Sequence, residues 1–569
     1  MIITRYPCRA SLLAGLGVLL AAPATRAQAP GWQAAVGIAT SSPSTSAISL
    51  SATDASGNVL VAGDFQGTIT LGSTTLSTVG TRVPFVAKWN TATGTWAWAQ
   101  QLTSTAGAFA GGLAVVGSSI YLSGSFKGTF TAGSLTLSSP NNFDTFVAKL
   151  TDAGASSTWS WARQAGGSGD DFGYGVAAQG SSVYTVGLSY SPTLGLGTLS
   201  VPNPGANTTF VAKLTDSGPS TAYTWALAPS GAGFSVLRTL AVQGNAVYAA
   251  GQVQGTQAFG STTLATSTLN DSDALITKIT DAGPTGAWTW AQRAGGTGGD
   301  QAVRLAVSGA AVYAVGSFSS ATASFGTTTL ASAGGSDIFV AKLADAGATS
   351  TWGWAQRAGG PADDLGEGLA VRGASVYISG DVASSPAAFG STALVPAGNS
   401  AAFVARLAEA GGGATFAWAQ AVASPSFGVA PALTLAGNQL YVGGITTGNT
   451  TFGTQTLAGS ISTPYGYLAS IADAALLPAT APQTATTGLG VFPNPARGTA
   501  TVQLPAGLGA GPTTLTLLDA LGRVVRTRTM ALPAGTTTTD LDVAGLAPGV
   551  YALRVATGER LGTARLVVE

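Results

Sequence analysis

Trp354-Ala355-Gln356-Arg357-Ala358-Gly359-Gly360-Pro361-Ala362-Asp363-Asp364, followed by Val376-Tyr377-Ile378-Ser379-Gly380, is the stretch that decides the fold, because its parts return along the chain at a nearly constant interval. Residues equivalent to Tyr377 are Leu60, Tyr121, Tyr184, Tyr248, Tyr313 and Tyr441; from Leu60 onward the steps are 61, 63, 64, 65, 64 and 64 residues. A Phe-Val-Ala-Lys segment also occurs seven times, beginning at Phe85, Phe146, Phe210, Leu275, Phe339, Phe403 and Tyr467. The aromatic pair Trp352/Trp354 has only five counterparts: Trp96/Trp98, Trp159/Trp161, Tyr223/Trp225, Trp288/Trp290 and Phe416/Trp418. No further pair follows Tyr467, whereas Trp32-Gln33-Ala34-Ala35 precedes the first repeat and resembles Trp98-Ala99-Gln100-Gln101. One strand of the last repeat is therefore expected at the front of the chain.

Each repeat offers four short segments: a Leu-Ala-Val stretch such as Leu369 to Val371, the Val-Tyr segment, the Phe-Val-Ala-Lys segment and the Trp segment. A Phe-Gly-x-Thr-x-Leu excursion, such as Phe325 to Leu330, lies between the second and third. The segments are β-branched and aromatic and are separated by glycine, which is strand chemistry. A lone four-stranded sheet leaves both faces and both edges bare, and radial packing of similar sheets covers the faces. The expected fold is thus all-β: a seven-bladed β-propeller over residues 30–473, its ring closed by the N-terminal strand, followed by a small C-terminal β-sandwich. Period-two alternation would put Trp96 and Trp98 on one face. Gly63, Gly124, Gly187, Gly251, Gly316, Gly380 and Gly444 recur in register, as expected where backbones approach closely or a strand bulges.

The Trp354–Asp364 and Val376–Gly380 segments resemble the SBBP-type bacterial β-propeller repeat, over roughly Trp32 to Asp473. That resemblance implies a fold and supplies no common catalytic residues. Ala474 to Thr487 is rich in Ala, Pro and Thr and reads as a linker over 474–487. Beyond it, Val491-Phe492-Pro493-Asn494-Pro495-Ala496, Leu517 to Val525 and Leu546 to Val555 alternate apolar strands with Gly/Pro turns, a sandwich pattern over 488–569. Those blocks, in that order, resemble the type A C-terminal sorting domain of the type IX secretion system, with Arg565 near the end where the family often has Lys. The resemblance implies that the secretion machinery is a partner of residues 488–569.

At the other end, Arg5 and Arg9 flank an apolar run from Ala10 to Ala22, and Ala27-Gln28-Ala29 is a small-residue cleavage site, so residues 1–29 read as a signal peptide. The run is too short for a permanent membrane helix, which needs about 20 residues. Export signals at both ends point to an extracellular or outer-membrane-surface location. Loss of the leader removes Arg5, Arg9 and Arg26, leaving 21 basic against 24 acidic residues, a formal −3. So weak a field attracts neither nucleic acid nor anionic lipid.

The chain has no His, and its one Cys, Cys8, lies in the leader, which excludes Ser-His-Asp and Cys-His machinery and any His- or Cys-ligated metal site. The repeat motif places Lys88, Lys149, Lys213, Lys278, Lys342, Arg406 and, in the last repeat, Ser470 in register. Asp152, Asp216, Asp281, Asp345, Glu409 and Asp473 each follow a basic residue or Ser470 by three. A ring of cations would suit an anionic glycan, but the acids offset it, and the reading preferred here is a capped strand end at an Asp-Ala-Gly hairpin turn. Asp170, Asp171, Asp300, Asp363 and Asp364, with Glu367, lie on glycine-rich loops of a kind that suits calcium, although only three repeats carry them. No other cofactor is expected. The Asn270-Asp271-Ser272-Asp273 cluster lacks the glycine and distal Glu of an EF-hand loop. The functional expectation is a noncatalytic binding or adhesion scaffold for an extracellular glycan or protein. The alternative is a carboxylate-dependent polysaccharide hydrolase or lyase, with Asp363 and Glu367 the residues to test.

Overall fold

The computed structural model describes residues 29–40, 43–203, 205, 207–476, 484–485, 489–504, 511–519, 524–532, 538–557 and 560–569. The expected leader up to Gln28, including Cys8, and most of the expected linker lie outside the described residues. Apart from one short 3-10 turn, Ala474–Leu476, the secondary structure of the described residues is β-strand. The chain divides into two compact units between Leu476 and Leu477.

In the larger unit, seven antiparallel sheets share one four-strand path among the described residues. The third sheet shows the pattern: first strand Asp171–Gln179, second Ser182–Ser189, third Thr208–Asp216, fourth Thr221–Leu227. The first and second strands are joined by a two-residue turn in which Gly180 takes φ +58°, a left-handed conformation that favours glycine. The Phe-Gly-x-Thr-x-Leu excursions form small hairpins such as Thr322–Phe325 with Thr328–Ala331. In the seventh sheet the order is Gly428–Ala436, Gln439–Thr446, Tyr465–Ala472 and then Trp32–Gly37, so the N-terminal strand supplies the fourth place.

Seven apolar clusters fill the spaces between sheets, and each draws on two of them. Trp98 packs in one cluster with Leu122 and Ala148, Trp161 with Val183 and Leu214, and Trp225 with Val247 and Ile279. Trp290 lies with Val312 and Leu343, Trp354 with Val376 and Leu407, and Trp418 with Leu440 and Ile471. The seventh cluster combines Tyr441 and Leu468 of the last sheet with Val59 and Ala87 of the first. Burying each such Val, Leu or Ile side chain contributes about 1.5–3 kcal/mol.

Two local expectations need correction. Trp96 and Trp98 do not share a face, because a bulge between them pairs Trp98 with Lys88 and Trp96 with Trp89, leaving Ala97 as the extra residue. Trp98 packs toward the second sheet and Trp96 against the cluster shared with the seventh; Trp159 and Trp161 split in the same way. Trp32 is the counterpart of Trp96, not of Trp98. It meets Phe452 edge-on at 5.1 Å, as Trp288 meets Phe259 at 5.2 Å and Trp352 meets Phe325 at 5.2 Å. Ala34, opposite Ser470, holds the place of Trp98. The larger unit also runs past Asp473, since Leu476 is buried in the cluster with Trp418.

Among its described residues the smaller unit has two sheets. One orders Thr484–Ala485, Arg560–Val568, Gly549–Thr557, Gly511–Leu518 and Val524–Leu532; the other orders Gly490–Phe492, Thr499–Gln503 and Thr538–Asp542. Val502, Leu515, Leu517, Leu541, Leu553 and Leu566 share its core. Asn494 of the Pro-Asn-Pro block pins that block to the last strand: its Nδ2 donates to Arg565 O and its Oδ1 accepts from Val567 N, each at 2.8 Å.

Candidate functional site

The site begins with a defect repeated in every sheet of the larger unit. The first strand bulges against the second, leaving Ser49, Gly111, Tyr174, Arg238, Val303, Glu367 and the pair Ala430-Pro431 outside the ladder. In six of the sheets the residue just before the bulge pairs with the recurring glycine of the second strand, as Ile48 does with Gly63; in the seventh Val429 pairs with Ile445 and Gly444 faces the bulge itself. A Cβ on any of these seven glycines would run into a carbonyl oxygen of the first strand, for instance Phe172 O at Gly187 and Val429 O at Gly444. The bulges therefore require glycine opposite them.

All seven bulged strands contribute to one cavity of about 190 Å³, which carries Tyr174, Arg238 and Arg304 among its lining residues. The Arg238 guanidinium lies over the Tyr174 ring, 5.6 Å from its centroid, and Arg238 Nε is buried without a hydrogen-bond partner among the described residues. Arg304 Nη1 donates to its neighbour's carbonyl, Val303 O, at 3.2 Å. Burial pulls the Arg304 guanidinium below its ordinary value; Glu367 opposes this and Arg238 adds to it. Burial pushes the Glu367 carboxyl up, against the pull of Arg304, and Glu367 Oε2 has no hydrogen-bond partner among the described residues. Asp381, in the second strand of the same sheet, is pushed up to about 7 by burial and by Glu367, Asp364 and Asp363. Chemically, the arrangement offers two guanidinium groups and an aromatic face in one depression, with the Glu367 carboxylate acting on Arg304 from beside it. Of these, the sequence motifs singled out only Glu367.

The ordered cations and acids do something else. Lys149 of the second sheet binds Asp216 of the third at 2.6 Å, so the partner is the next sheet's acid and not the one three residues on. Tyr121 Oη donates to the same carboxylate at 2.6 Å and Trp161 Nε1 at 3.2 Å. Lys213, Tyr184 and Trp225 converge likewise on Asp281, Lys278, Tyr248 and Trp290 on Asp345, and Lys342, Tyr313 and Trp354 on Glu409. Tyr377, Trp418 and, more distantly at 3.9 Å, Arg406 meet Asp473. Lys88 and Trp98 meet Asp152, and Lys88 also binds Asp54 at 2.9 Å. The expected turn is present as well, with Gly154 N donating to Asp152 Oδ1 at 2.9 Å. Burial raises the carboxyls of Asp216, Asp281, Asp345 and Glu409, but hydrogen bonds from the neighbouring Lys, Tyr and Trp outweigh it and hold them below their usual range.

The loop acids are tied into their own loops. Asp300 accepts from Ser320 Oγ at 2.6 Å and from the backbone of Gly296, Ser319 and Ser320. Asp364 accepts from Ser384 Oγ at 2.6 Å and from Gly360, Ala383 and Ser384 N. Asp171 accepts from Ser191 Oγ at 2.8 Å. Asp170 and Asp363 accept from Phe143 N and Ser336 N, at 2.9 and 2.8 Å. Burial pushes Asp171, Asp300 and Asp364 up. Among the described residues no three acidic side chains gather as a metal cluster would require.

Residues 490–569 match the family model described as the secretion system C-terminal sorting domain. This is the type IX sorting domain, and it directs the protein to the cell surface or the extracellular space. No helix among the described residues is long and apolar enough to cross a membrane. No curated protein matches the chain. Among solved structures, a Trypanosoma rangeli sialidase in complex with sialic acid is similar at 8% identity and a TM-score of 0.30, over 91% of this chain and 83% of that one.

Proposed function

We propose that this chain is an exported, noncatalytic binding scaffold whose seven sheets are the blades of a closed propeller of the SBBP-repeat type, and that its ligand sits in the cavity bordered by the seven bulged strands. The ring reading is supported by the seven shared clusters, the last of which joins the seventh sheet to the first, and by the pairing of Trp32–Gly37 with Tyr465–Ala472. Residues 1–29 would carry the chain through the inner membrane and the sorting domain through the outer one. The ligand is an extracellular glycan or protein group. One observation carries the binding reading: in a chain with only 8% charged residues, Arg238 and Arg304 line one depression, Glu367 acts on Arg304 from next to the lining residue Gly368, and none of the three forms an ion pair among the described residues. Glycan and peptide arrays probed with the mature chain should give hits that Arg238→Gln weakens; an absence of hits would count against the scaffold.

A second reading, a carboxylate-dependent polysaccharide hydrolase or lyase, is favoured by Asp381, whose carboxyl at about 7 stands beside Glu367. Polysaccharide turnover by the purified chain, abolished in Glu367→Gln, would replace the first reading with this one.

A further inference from the structure

We infer that the cavity bordered by the seven bulged strands takes a compact monoanion of the carboxylate type, held by Arg238 and Arg304. This rests on the proposal that the cavity is the binding site, and it adds the chemistry of what enters. Arg238 is close enough to disfavour the charge of Arg304, and Glu367 is the acid that acts on Arg304 from across the bulges. The lining residues include two cations and no acid, and Glu367, next to the lining residue Gly368, opposes only part of that charge. Uncompensated charge in a poorly solvated depression is costly, and a bound anion would remove that cost.

Geometry narrows the anion. Guanidinium groups pair with planar carboxylates through two parallel N–H bonds, and Arg238 keeps Nε unused while its face rests on Tyr174. At about 190 Å³ the cavity far exceeds the ~10–15 Å³ that one water needs, yet it is too small for a polymer segment. The end group of a sugar acid fits this description, and so does the carboxylate of a short acyl amino acid. Thr239 and Ser51 add hydroxyls to the lining for the rest of such a group.

Titration calorimetry on the mature chain, with glucuronate, N-acetylglycine, sulfate and glucose as probes, tests the inference. Glucuronate or N-acetylglycine should bind, and glucose should not. Binding of both carboxylates would assign recognition to the carboxylate, and binding of glucuronate alone would assign it to a sugar acid. Arg238→Gln and Arg304→Gln should each weaken binding by about tenfold or more, the usual loss for a charged hydrogen bond. Glu367→Gln, which leaves two cations unopposed, should tighten it several-fold. The apo melting temperature of Arg304→Gln should not fall, which distinguishes a ligand-holding arginine from one that braces the fold. Sulfate binding more tightly than either carboxylate would overturn the carboxylate assignment. A neutral array ligand lost in both arginine variants would keep the site and overturn the anion. No carboxylate binding by the parent chain overturns the inference outright. An array ligand held equally by the parent and both variants would place binding elsewhere and overturn the parent proposal too.

Discussion

Six junctions between consecutive sheets are held by side chains around a buried acid; the seventh has no such acid and relies on an apolar cluster, a few hydroxyl hydrogen bonds and the N-terminal strand built into the seventh sheet. Between the third and fourth sheets, Lys213, Tyr184 and Trp225 surround Asp281, with the lysine and aspartate side chains only 6% and 8% exposed. Between the seventh and the first, all three charged or indole positions have changed together: Ser470 stands for the lysine, Ala34 for the tryptophan and Thr91 for the acid. Tyr441 remains, and a cavity of about 470 Å³ lies among Ala34, Thr91, Tyr441 and Ser470. What that junction has instead is the strand Trp32–Gly37, hydrogen-bonded across the last sheet, with Gln455 Nε2 and Oε1 tied to Gln33 O and Ala35 N at 2.7 and 2.8 Å. The comparison suggests that where the chain ends are knitted into one sheet, side-chain clasps are dispensable.

If so, the N-terminal strand should be the most sensitive element of the larger unit. Val36→Pro, which removes an N–H inside the Trp32–Gly37 strand, is expected to break the ladder there and lower stability more than the loss of any single clasp. Deletion of residues 30–37 should abolish cooperative melting of the larger unit, seen by calorimetry as a lost or split transition. Cooperative melting at an unchanged temperature after the deletion would break the comparison.

Next in size is a clasp acid. Asp281→Asn leaves the Lys213 ammonium buried without its counter-ion and weakens the Tyr184 and Trp225 bonds, so a loss of about 3–5 kcal/mol is expected in denaturant unfolding. The same change at Asp473, whose Arg406 partner is 3.9 Å away, should cost less. Equal losses at both sites would show that the acid's contribution comes from its turn and not from the cation.

This is also where the sequence was legible and where it was not. The repeat length, the strand-like segments, the recurring glycines and the displaced Trp32 segment can all be read from spacing alone, because each depends on backbone periodicity. The partner of Lys149 could not be read so: Asp152 and Asp216 both lie in register with it, and only the packing of sheets selects the one 67 residues away. The faces of Trp96 and Trp98 depart from period-two alternation because one extra residue, Ala97, bulges between them, and no residue type announces a bulge there. Arg238 and Arg304 escaped notice for the opposite reason. A repeat search looks for what recurs, and these two are singular: Arg238 stands where other sheets hold Ser49, Gly111 or Tyr174, and Arg304, one place further on, where they hold Leu50, Gly112 or Gly175. The signal available was a charge one or two residues before a Leu-Ala-Val stretch, in a chain that has few charges at all.

A smaller effect follows from building a clasp where none exists. Thr91→Asp and Ser470→Lys, singly, each place a lone charge in the cavity at that junction and should destabilise. Together they should recover, with a favourable coupling of about 1 kcal/mol in a double-mutant cycle. Zero coupling would mean that the seventh junction differs in sheet spacing as well as in residue type.

The smallest expected effect is on pH dependence. Asp216, Asp281, Asp345 and Glu409 have folded-state values held below their unfolded ones, so their stabilisation is complete above about pH 4–4.5 and is lost as pH falls through the folded values. Asp64, at about 6, and Asp381, at about 7, have raised values and act with the opposite sign: ionising them costs stability, and that cost is relieved as pH falls from above 7 toward 4. Stability should therefore rise gently from pH 8 to about 5 and then decline, with Asp381→Asn flattening only the upper limb. Since the seventh junction has no clasp acid, hydrogen exchange below pH 4 should open the six clasped junctions first and leave the pairing of Trp32–Gly37 with Tyr465–Ala472 protected. The reverse order would mean that the side-chain clasps, and not the shared sheet, are the stronger closure.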